Sequence, residues 1–150
     1  MKKVMLGGAD LHYVEAGEGR PVIFVHGGLE DLRAWESHVE HFSRFGRAIA
    51  YSRRYNCPNA VPPFRQDHFA KSEADNLVQL ITALDLGPIN VIGSSYGAYI
   101  ALFPVLRRPD LVRGSSLRGS DYWLAAIHPG RAGPLRRLPP QLVDGCREGF

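Results

Sequence analysis

The sequence predicts an α/β fold, in which a mostly parallel sheet carries helices on both faces and is incomplete at its C-terminal side. From residue 1 to about residue 113, strand-like apolar runs alternate with helix-like segments, an order typical of parallel sheets covered by helices. The run Pro21–Val25 is continuously apolar, as expected of a strand buried on both faces. Glycine-rich motifs follow two of the predicted strands, which indicates sharp turns where those strands end.

The individual elements can be predicted in chain order. Lys3–Leu6 and Leu11–Glu15 flank Gly7-Gly8-Ala9-Asp10, an arrangement typical of a hairpin. The elements that follow are strands over Pro21–Val25, Ala48–Tyr51 and Ile89–Ile92, and helices over Leu32–Phe42, His68–Leu86 and Tyr96–Arg107. Asp31 is a candidate N-cap for the first of these helices. Pro104 removes a backbone donor from the last helix and predicts a kink or an early end there.

The segment His68–Leu86 has the clearest helical pattern in the chain. Its apolar residues recur at spacings of three and four and form one face: Ala70, Ala74, Leu77, Ile81 and Leu84. Gly87-Pro88 is a strong stop signal directly after it. The pattern therefore predicts a helix that packs one apolar face on the sheet.

Composition and charge exclude several classes of protein. Two cysteines, Cys57 and Cys146, form no disulfide framework, which favours a cytoplasmic location. No apolar run approaches membrane-spanning length. The formal net charge is +3, and the basic C-terminal stretch lacks the aromatic residues and helical pattern of a nucleic-acid-binding segment. We therefore expect a small-molecule substrate rather than a nucleic acid or a membrane as the partner.

The strongest functional motif is Gly93-Ser94-Ser95-Tyr96-Gly97, which stands between an apolar strand and a predicted helix. A nucleophilic serine has to project from a tight strand-to-helix turn, clear of its own backbone. The central Ser95 is therefore the candidate nucleophile, and Ser94 lies one position too early in the motif. The alternative interpretation is an ordinary loop of small residues between a strand and a helix.

The second motif is His26-Gly27-Gly28-Leu29, which follows the strand Pro21–Val25. Glycines at this point let backbone N–H groups turn toward the site. We predict that the N–H groups of Gly28 and Tyr96 stabilise a developing oxyanion, with Leu29 in place of Gly28 as the fallback. His26 could be a catalytic base, but we favour a structural histidine that supports this loop.

These motifs together resemble the α/β-hydrolase family. The resemblance covers residues 1 to about 113. It rests on both glycine motifs and on three further segments: Asp31–Glu36 with its Trp35, Tyr51–Asn56, and Arg108–Val112. It implies acyl transfer, in which Ser95 attacks the carbonyl of a small ester or related substrate and water releases the acyl group. A serine at this position argues against epoxide hydrolases and dehalogenases, which use an aspartate, and no metal or organic cofactor is implied.

Arg53 and Arg54 lie within one of the resembling segments and have two interpretations. They could hold a substrate carboxylate at the mouth of the site, because arginine binds carboxylates with two parallel hydrogen bonds. A solvated or structural pair of loop residues is the interpretation we favour.

The acid and the base of a catalytic triad are difficult to find. The fold places them after the nucleophile, in the order acid and then histidine. His128 is the one histidine after Ser95, and the later acids are Asp110, Asp121, Asp144 and Glu148. We therefore expect this chain to be impaired or inactive as an enzyme, and a truncated, inactive hydrolase-like protein is the alternative function.

The pattern changes after about residue 114. Residues 1–114 are predicted to be the N-terminal part of an α/β-hydrolase domain, and residues 115–150 an atypical tail rich in Arg, Gly and Pro. Ser115–Ser120 is too polar for the buried strand expected there. We therefore predict a reading-frame shift near residue 114, which would leave the tail loosely packed or disordered. A divergent but native segment is the alternative.

Overall fold

The computed structural model describes residues 1–60 and 69–119, together with the backbone of two later strands. The strands are β1 (Lys2–Leu6), β2 (Ala9–Ala16), β3 (Pro21–Val25), β4 (Arg47–Tyr51), β5 (Ile89–Ser94), β6 (Val112–Arg118), β7 (Trp123–Ile127) and β8 (Arg136–Arg137). The helices are α1 (Glu36–Phe42), α2 (Ala70–Ala83) and α3 (Tyr96–Arg107), with 3-10 turns at Leu32–Trp35 and Pro109–Leu111.

The described strands form one sheet of eight, in the order β1-β2-β4-β3-β5-β6-β7-β8. The four central strands, β4, β3, β5 and β6, run parallel. The hairpin of β1 and β2 extends the sheet antiparallel on one side, and β7 and β8 extend it antiparallel on the other. The predicted α/β class, with parallel pairing at the centre of the sheet, is confirmed.

Helices cover both faces of this sheet. Successive side chains of a strand point to opposite faces, so Val22 and Phe24 of β3 enter one hydrophobic core and Ile23 and Val25 the other. The larger core packs under α2 and α3, and the smaller one under α1. Burial on both sides explains why β3 is apolar at every position, as its sequence predicted.

Two helix predictions need adjustment. The single helix predicted over Leu32–Phe42 is divided into a 3-10 turn and α1, and Asp31 caps the turn through Oδ1, which accepts the N–H of Arg33 at 2.9 Å. Of the two outcomes predicted at Pro104, a kink or an early end, the early end was wrong, because α3 continues to Arg107. His68, the predicted first residue of the preceding helix, lies outside the described residues.

The strand β6 corrects the expectation that Ser115–Ser120 is too polar for a buried strand. Residues Val112–Arg118 pair in parallel with β5. Val112, Ser115 and Leu117 are buried, whereas Arg113 is exposed. The prediction failed because it judged the polarity of the whole segment, although within it the buried positions are Ser115 and Leu117, two residues apart on one face of the strand.

The predicted domain division at residue 114 falls inside β6. Two further strands follow it, at Trp123–Ile127 and Arg136–Arg137. Residues 120–122, 128–135 and 138–150 lie outside the described part of the chain. The reading-frame shift and the loose packing of the tail therefore stay predictions.

Candidate functional site

Ser95 stands at the junction between β5 and α3. Its backbone has φ 52° and ψ −120°, a conformation that L residues other than glycine rarely adopt and that is retained mainly at functional sites. Its N–H donates to the carbonyl oxygen of Arg118 at 2.6 Å, so β6 supports the turn. The side chain of Ser95 is exposed, whereas that of Ser94, the last residue of β5, is half-buried. The turn therefore presents Ser95 to solvent rather than Ser94.

Two glycines allow this turn to be so tight. A Cβ added at Gly93 would lie 2.7 Å from the carbonyl oxygen of Gly97 and 2.8 Å from the backbone of Ala98. A Cβ added at Gly97 would lie 2.5 Å from the carbonyl oxygen of His26 and closer still to that of Val25. Real Cβ atoms do not come this close to backbone atoms, so only glycine lets α3 approach β3 and β5. This contact also brings the start of α3 against the His26 loop.

The backbone N–H groups beside Ser95 differ in whether they already donate a hydrogen bond. The N–H of Gly27 donates to Glu30 Oε2 at 2.8 Å. Within the described ranges, no hydrogen bond occupies the N–H of Gly28, Leu29 or Tyr96. The N–H of Tyr96 opens α3, where the helix dipole favours negative charge. Gly28 and Tyr96, the predicted oxyanion donors, and the fallback Leu29 therefore keep free N–H groups, although their catalytic role stays a prediction.

His26 is fully buried and both of its ring nitrogens are occupied. Nε2 accepts the main-chain N–H of Arg53 at 3.0 Å, which places the ring proton on Nδ1, 2.8 Å from the carbonyl oxygen of Gly27. Burial lowers the pKa of His26 to about 4, and the charge of Arg53 adds to this effect. A neutral ring held by two backbone groups fits loop support better than proton transfer from Ser95.

The buried His26 makes stability depend on pH in a defined window. Its pKa is lower in the folded protein than in the unfolded chain, so the unfolded chain binds more protons below about pH 6.5. The contribution of His26 to the free energy of unfolding is therefore fully present above that pH. We expect this contribution to fall by about 3 kcal/mol as pH falls from about 6.5 to about 4. Urea unfolding across this range measures the loss.

His26→Gln is the matched variant for that measurement. Glutamine keeps a hydrogen-bonding side chain but does not titrate, so the variant should lose less stability than the wild type over the same range. Acidic residues titrate in both proteins and cancel in the comparison. Identical pH profiles for the two proteins would contradict a buried, neutral His26.

Arg53 and Arg54 both bind backbone carbonyl groups. Arg53 is 4% exposed, and its Nη2 donates to the carbonyl oxygen of Gly27 at 2.8 Å. Arg54 is half-buried, and its Nη2 donates to the carbonyl oxygen of Leu6 at 2.8 Å. Arg53 is therefore not solvated, and its contacts favour loop support over binding of a substrate carboxylate.

Two acidic residues that sequence reasoning missed also contact this site. Glu30 accepts the N–H of Gly27, and Glu73 of α2 pairs with Arg53 at 3.7 Å. Glu30 had a local signal, because it directly follows the motif His26-Gly27-Gly28-Leu29. Glu73 had none, because its partner lies far away in the sequence.

The described residues do not complete a triad. Asp110 is exposed and pairs with Arg108 at 2.7 Å, an interaction that lowers the pKa of Asp110. His128 and the remaining candidate acids Asp121, Asp144 and Glu148 lie outside the described residues. No histidine in the described ranges is hydrogen-bonded to Ser95.

The described residues offer neither a metal site nor a membrane span. Across 1–60 and 69–119, no group of three His, Cys, Asp or Glu side chains could hold a metal ion. None of the described helices is both long enough and apolar enough to span a membrane.

The chain is similar to known hydrolases in sequence. A model of the alpha/beta hydrolase fold family matches residues 20–139. An (E)-2-((N-methylformamido)methylene)succinate hydrolase from Acinetobacter baylyi is 29% identical over 126 residues, which are 84% of this chain and 46% of that protein. A 2-hydroxy-6-oxo-6-(2'-aminophenyl)hexa-2,4-dienoic acid hydrolase from Metapseudomonas resinovorans is 30% identical over 131 residues, which are 83% of this chain and 44% of that protein.

Solved structures agree with the sequence comparison. An epoxide hydrolase from Vigna radiata superposes with a TM-score of 0.72 at 26% identity, over 76% of this chain and 36% of that one. A thermophilic esterase from Thermogutta terrifontis superposes with a TM-score of 0.69 at 26% identity, over 77% of this chain and 44% of that one. The chain spans less than half the length of these curated relatives and structures. With the family model covering most of its residues and the same fold in its structural relatives, the chain belongs to the α/β-hydrolase fold family.

Proposed function

We propose that the protein is a hydrolase in which Ser95 transfers the acyl group of a small ester, or a related carbonyl compound, to water. The observation that carries the proposal is the exposed Ser95 at positive φ between β5 and α3. The free N–H groups of Gly28 and Tyr96 support it, since acyl transfer needs donors for an oxyanion. Epoxide hydrolases are among the structural relatives, but a serine at position 95 favours acyl transfer over epoxide opening.

The reaction would proceed in two steps. Ser95 Oγ would bond to the carbonyl carbon while its proton passes to a base, and the alcohol would leave with a proton as the acyl-enzyme forms. Water would then attack the acyl-enzyme, release the acid and return a proton to Ser95. His26 is an unsuitable base because both of its ring nitrogens are occupied. His128 is the histidine that follows Ser95 in the sequence and is therefore the remaining candidate for the base.

The competing proposal is an inactive hydrolase-like protein. One observation favours it: no histidine in the described ranges is hydrogen-bonded to Ser95. A serine without its base is a poor nucleophile at neutral pH. Free donors for the oxyanion can still leave a small rate enhancement in triad-deficient hydrolases.

Hydrolysis of p-nitrophenyl acetate distinguishes the two proposals. We expect the wild type to exceed the rate in buffer, and Ser95→Ala to lose all of that excess because the acyl-enzyme cannot form. Ser94→Ala is the matched control and should stay within about twofold of the wild type, since it removes one hydroxyl group from a half-buried residue and leaves Ser95 in place. Equal rates for the wild type and Ser95→Ala would support the inactive protein.

We propose that the hydrolase needs no metal or organic cofactor, binds neither nucleic acid nor membrane, and works in the cytoplasm. The free and exposed thiol of Cys57 supports a reducing compartment.

A further inference from the structure

A buried pair of opposite charges lies beside the candidate site. The side chains of Arg53 and Glu73 are 5% and 4% exposed, and Arg53 Nη1 lies 3.7 Å from Glu73 Oε1. Desolvation of each ion costs several kcal/mol in protein interiors, and the attraction between the charges offsets this cost only in part. An apolar pair of similar size would stabilise the fold as well, so stability alone does not explain these charges.

The guanidinium of Arg53 touches both sides of the proposed oxyanion hole. Its Nη2 donates to the carbonyl oxygen of Gly27 at 2.8 Å and lies 3.4 Å from that of Gly28. Its Cζ lies 5.0 Å from the centre of the Tyr96 ring, a distance typical of a cation–π contact. One planar group therefore contacts the two segments whose N–H groups are the candidate donors.

The orientation of this guanidinium depends on its Nη contacts. Among the described residues, Arg53 Nε has no hydrogen-bond partner. Nη2 binds the glycine loop, and Nη1 faces Glu73. Loss of the Glu73 carboxylate would therefore remove the contact that holds the guanidinium plane against the Tyr96 ring on the Nη1 side.

We propose that Glu73 is a positioning residue for the oxyanion hole. Glu73 holds the Arg53 guanidinium, which in turn fixes the Gly27–Gly28 loop and Tyr96 at the spacing that an oxyanion requires. Preorganised donors account for much of the rate of acyl transfer, and small displacements of them slow the reaction. The proposal rests on acyl transfer at Ser95. Neither Glu73 nor Arg53 touches the substrate in this account.

The test is a double-mutant cycle on the chain, with Glu73→Gln, Arg53→Lys and the double variant. Fluorophosphonate labelling of Ser95 separates the affinity for the probe from the maximal labelling rate. We expect Glu73→Gln to lower the maximal rate roughly 10- to 100-fold, somewhat less than the loss of a whole donor, with the affinity unchanged within about twofold. The double variant should be no slower than Arg53→Lys, because the two residues act in series.

Asp75→Asn is the matched control on the same helix. Asp75 is exposed and pairs with Lys71 at 2.9 Å, so this variant loses a carboxylate from the other side of α2. Its labelling rate should equal that of the wild type. A folded Glu73→Gln variant that labels as fast as Asp75→Asn would overturn the proposal. Should Glu73→Gln not fold, Glu73→Met, which keeps a side chain of similar length without the carboxylate, takes its place, and an unchanged maximal rate in that variant overturns the proposal equally.

Amide NMR spectra separate this proposal from the proposed function. In the wild type and the variants, the amide resonances of Gly28 and Tyr96 report the geometry of the loop without any reaction. Glu73→Gln should shift both resonances, and Asp75→Asn should shift neither. If the wild type is not labelled at all, acyl transfer fails and the NMR result alone decides whether Glu73 positions these donors. Unshifted resonances in Glu73→Gln would then overturn the positioning role.

Discussion

Gly97→Ala is expected to destabilise the folded chain by more than about 3 kcal/mol, at or beyond the upper end of ordinary overpacking costs. The added Cβ would lie 2.5 Å from the carbonyl oxygen of His26 and closer still to that of Val25. Both are backbone atoms, one in β3 and one in the loop that follows it, so neither can move as a flexible side chain would. A domain with about 5–15 kcal/mol of total stability would lose a large part of it.

Gly28→Ala is the control for the Gly97 variant. Gly28 has open space around a Cβ position and no positive φ. Its replacement should therefore change the midpoint of urea unfolding very little. If Gly97→Ala unfolds at the same urea concentration as Gly28→Ala, then α3 does not approach β3 as closely as the structure indicates, and the geometry derived for the Ser95 turn is wrong.

Leu117→Ala should cost about 2–5 kcal/mol, the usual range for truncation of a buried leucine. Leu117 is 1% exposed and belongs to the larger hydrophobic core. It lies in β6, beyond the residue at which the sequence pattern predicts a reading-frame shift. The variant therefore tests whether this segment is a true part of the sheet.

Arg113→Ala is the matched control on the same strand, because Arg113 is exposed. Surface substitutions of this kind usually change stability by less than about 0.5 kcal/mol. Equal unfolding curves for Leu117→Ala and Arg113→Ala would indicate that β6 does not pack in solution, as the reading-frame hypothesis expects. The nucleotide sequence tests that hypothesis independently: stop codons in both other frames just after codon 114 would defeat it.

Features with local sequence signals were predictable. β3 is apolar at every position because it is buried on both faces, and its residues can be recognised without knowledge of their neighbours. The turn at Ser95 was equally recognisable, because close approach of a strand and a helix requires glycine at particular positions. The same motif pointed to Ser95 rather than Ser94, which agrees with their exposures in the structure.

Features that depend on distant contacts were not predictable. Glu73 interrupts the apolar face expected for α2, yet it is 3% exposed because Arg53 faces it. Nothing in the sequence around either residue indicates this pair. β6 was missed for a related reason: its place between β5 and β7 comes from backbone hydrogen bonds, which its polar side chains do not reveal.

Fluorophosphonate labelling followed by peptide mass mapping tests the nucleophile most directly. The probe reacts once with an activated serine, so it needs no completed turnover and no knowledge of the substrate. We predict a single phosphonylated residue, Ser95, whose labelling disappears in Ser95→Ala and persists in Ser94→Ala. Labelling on Ser94, or none from about pH 6 to about pH 9, a range that spans histidine titration, would contradict Ser95 as the nucleophile.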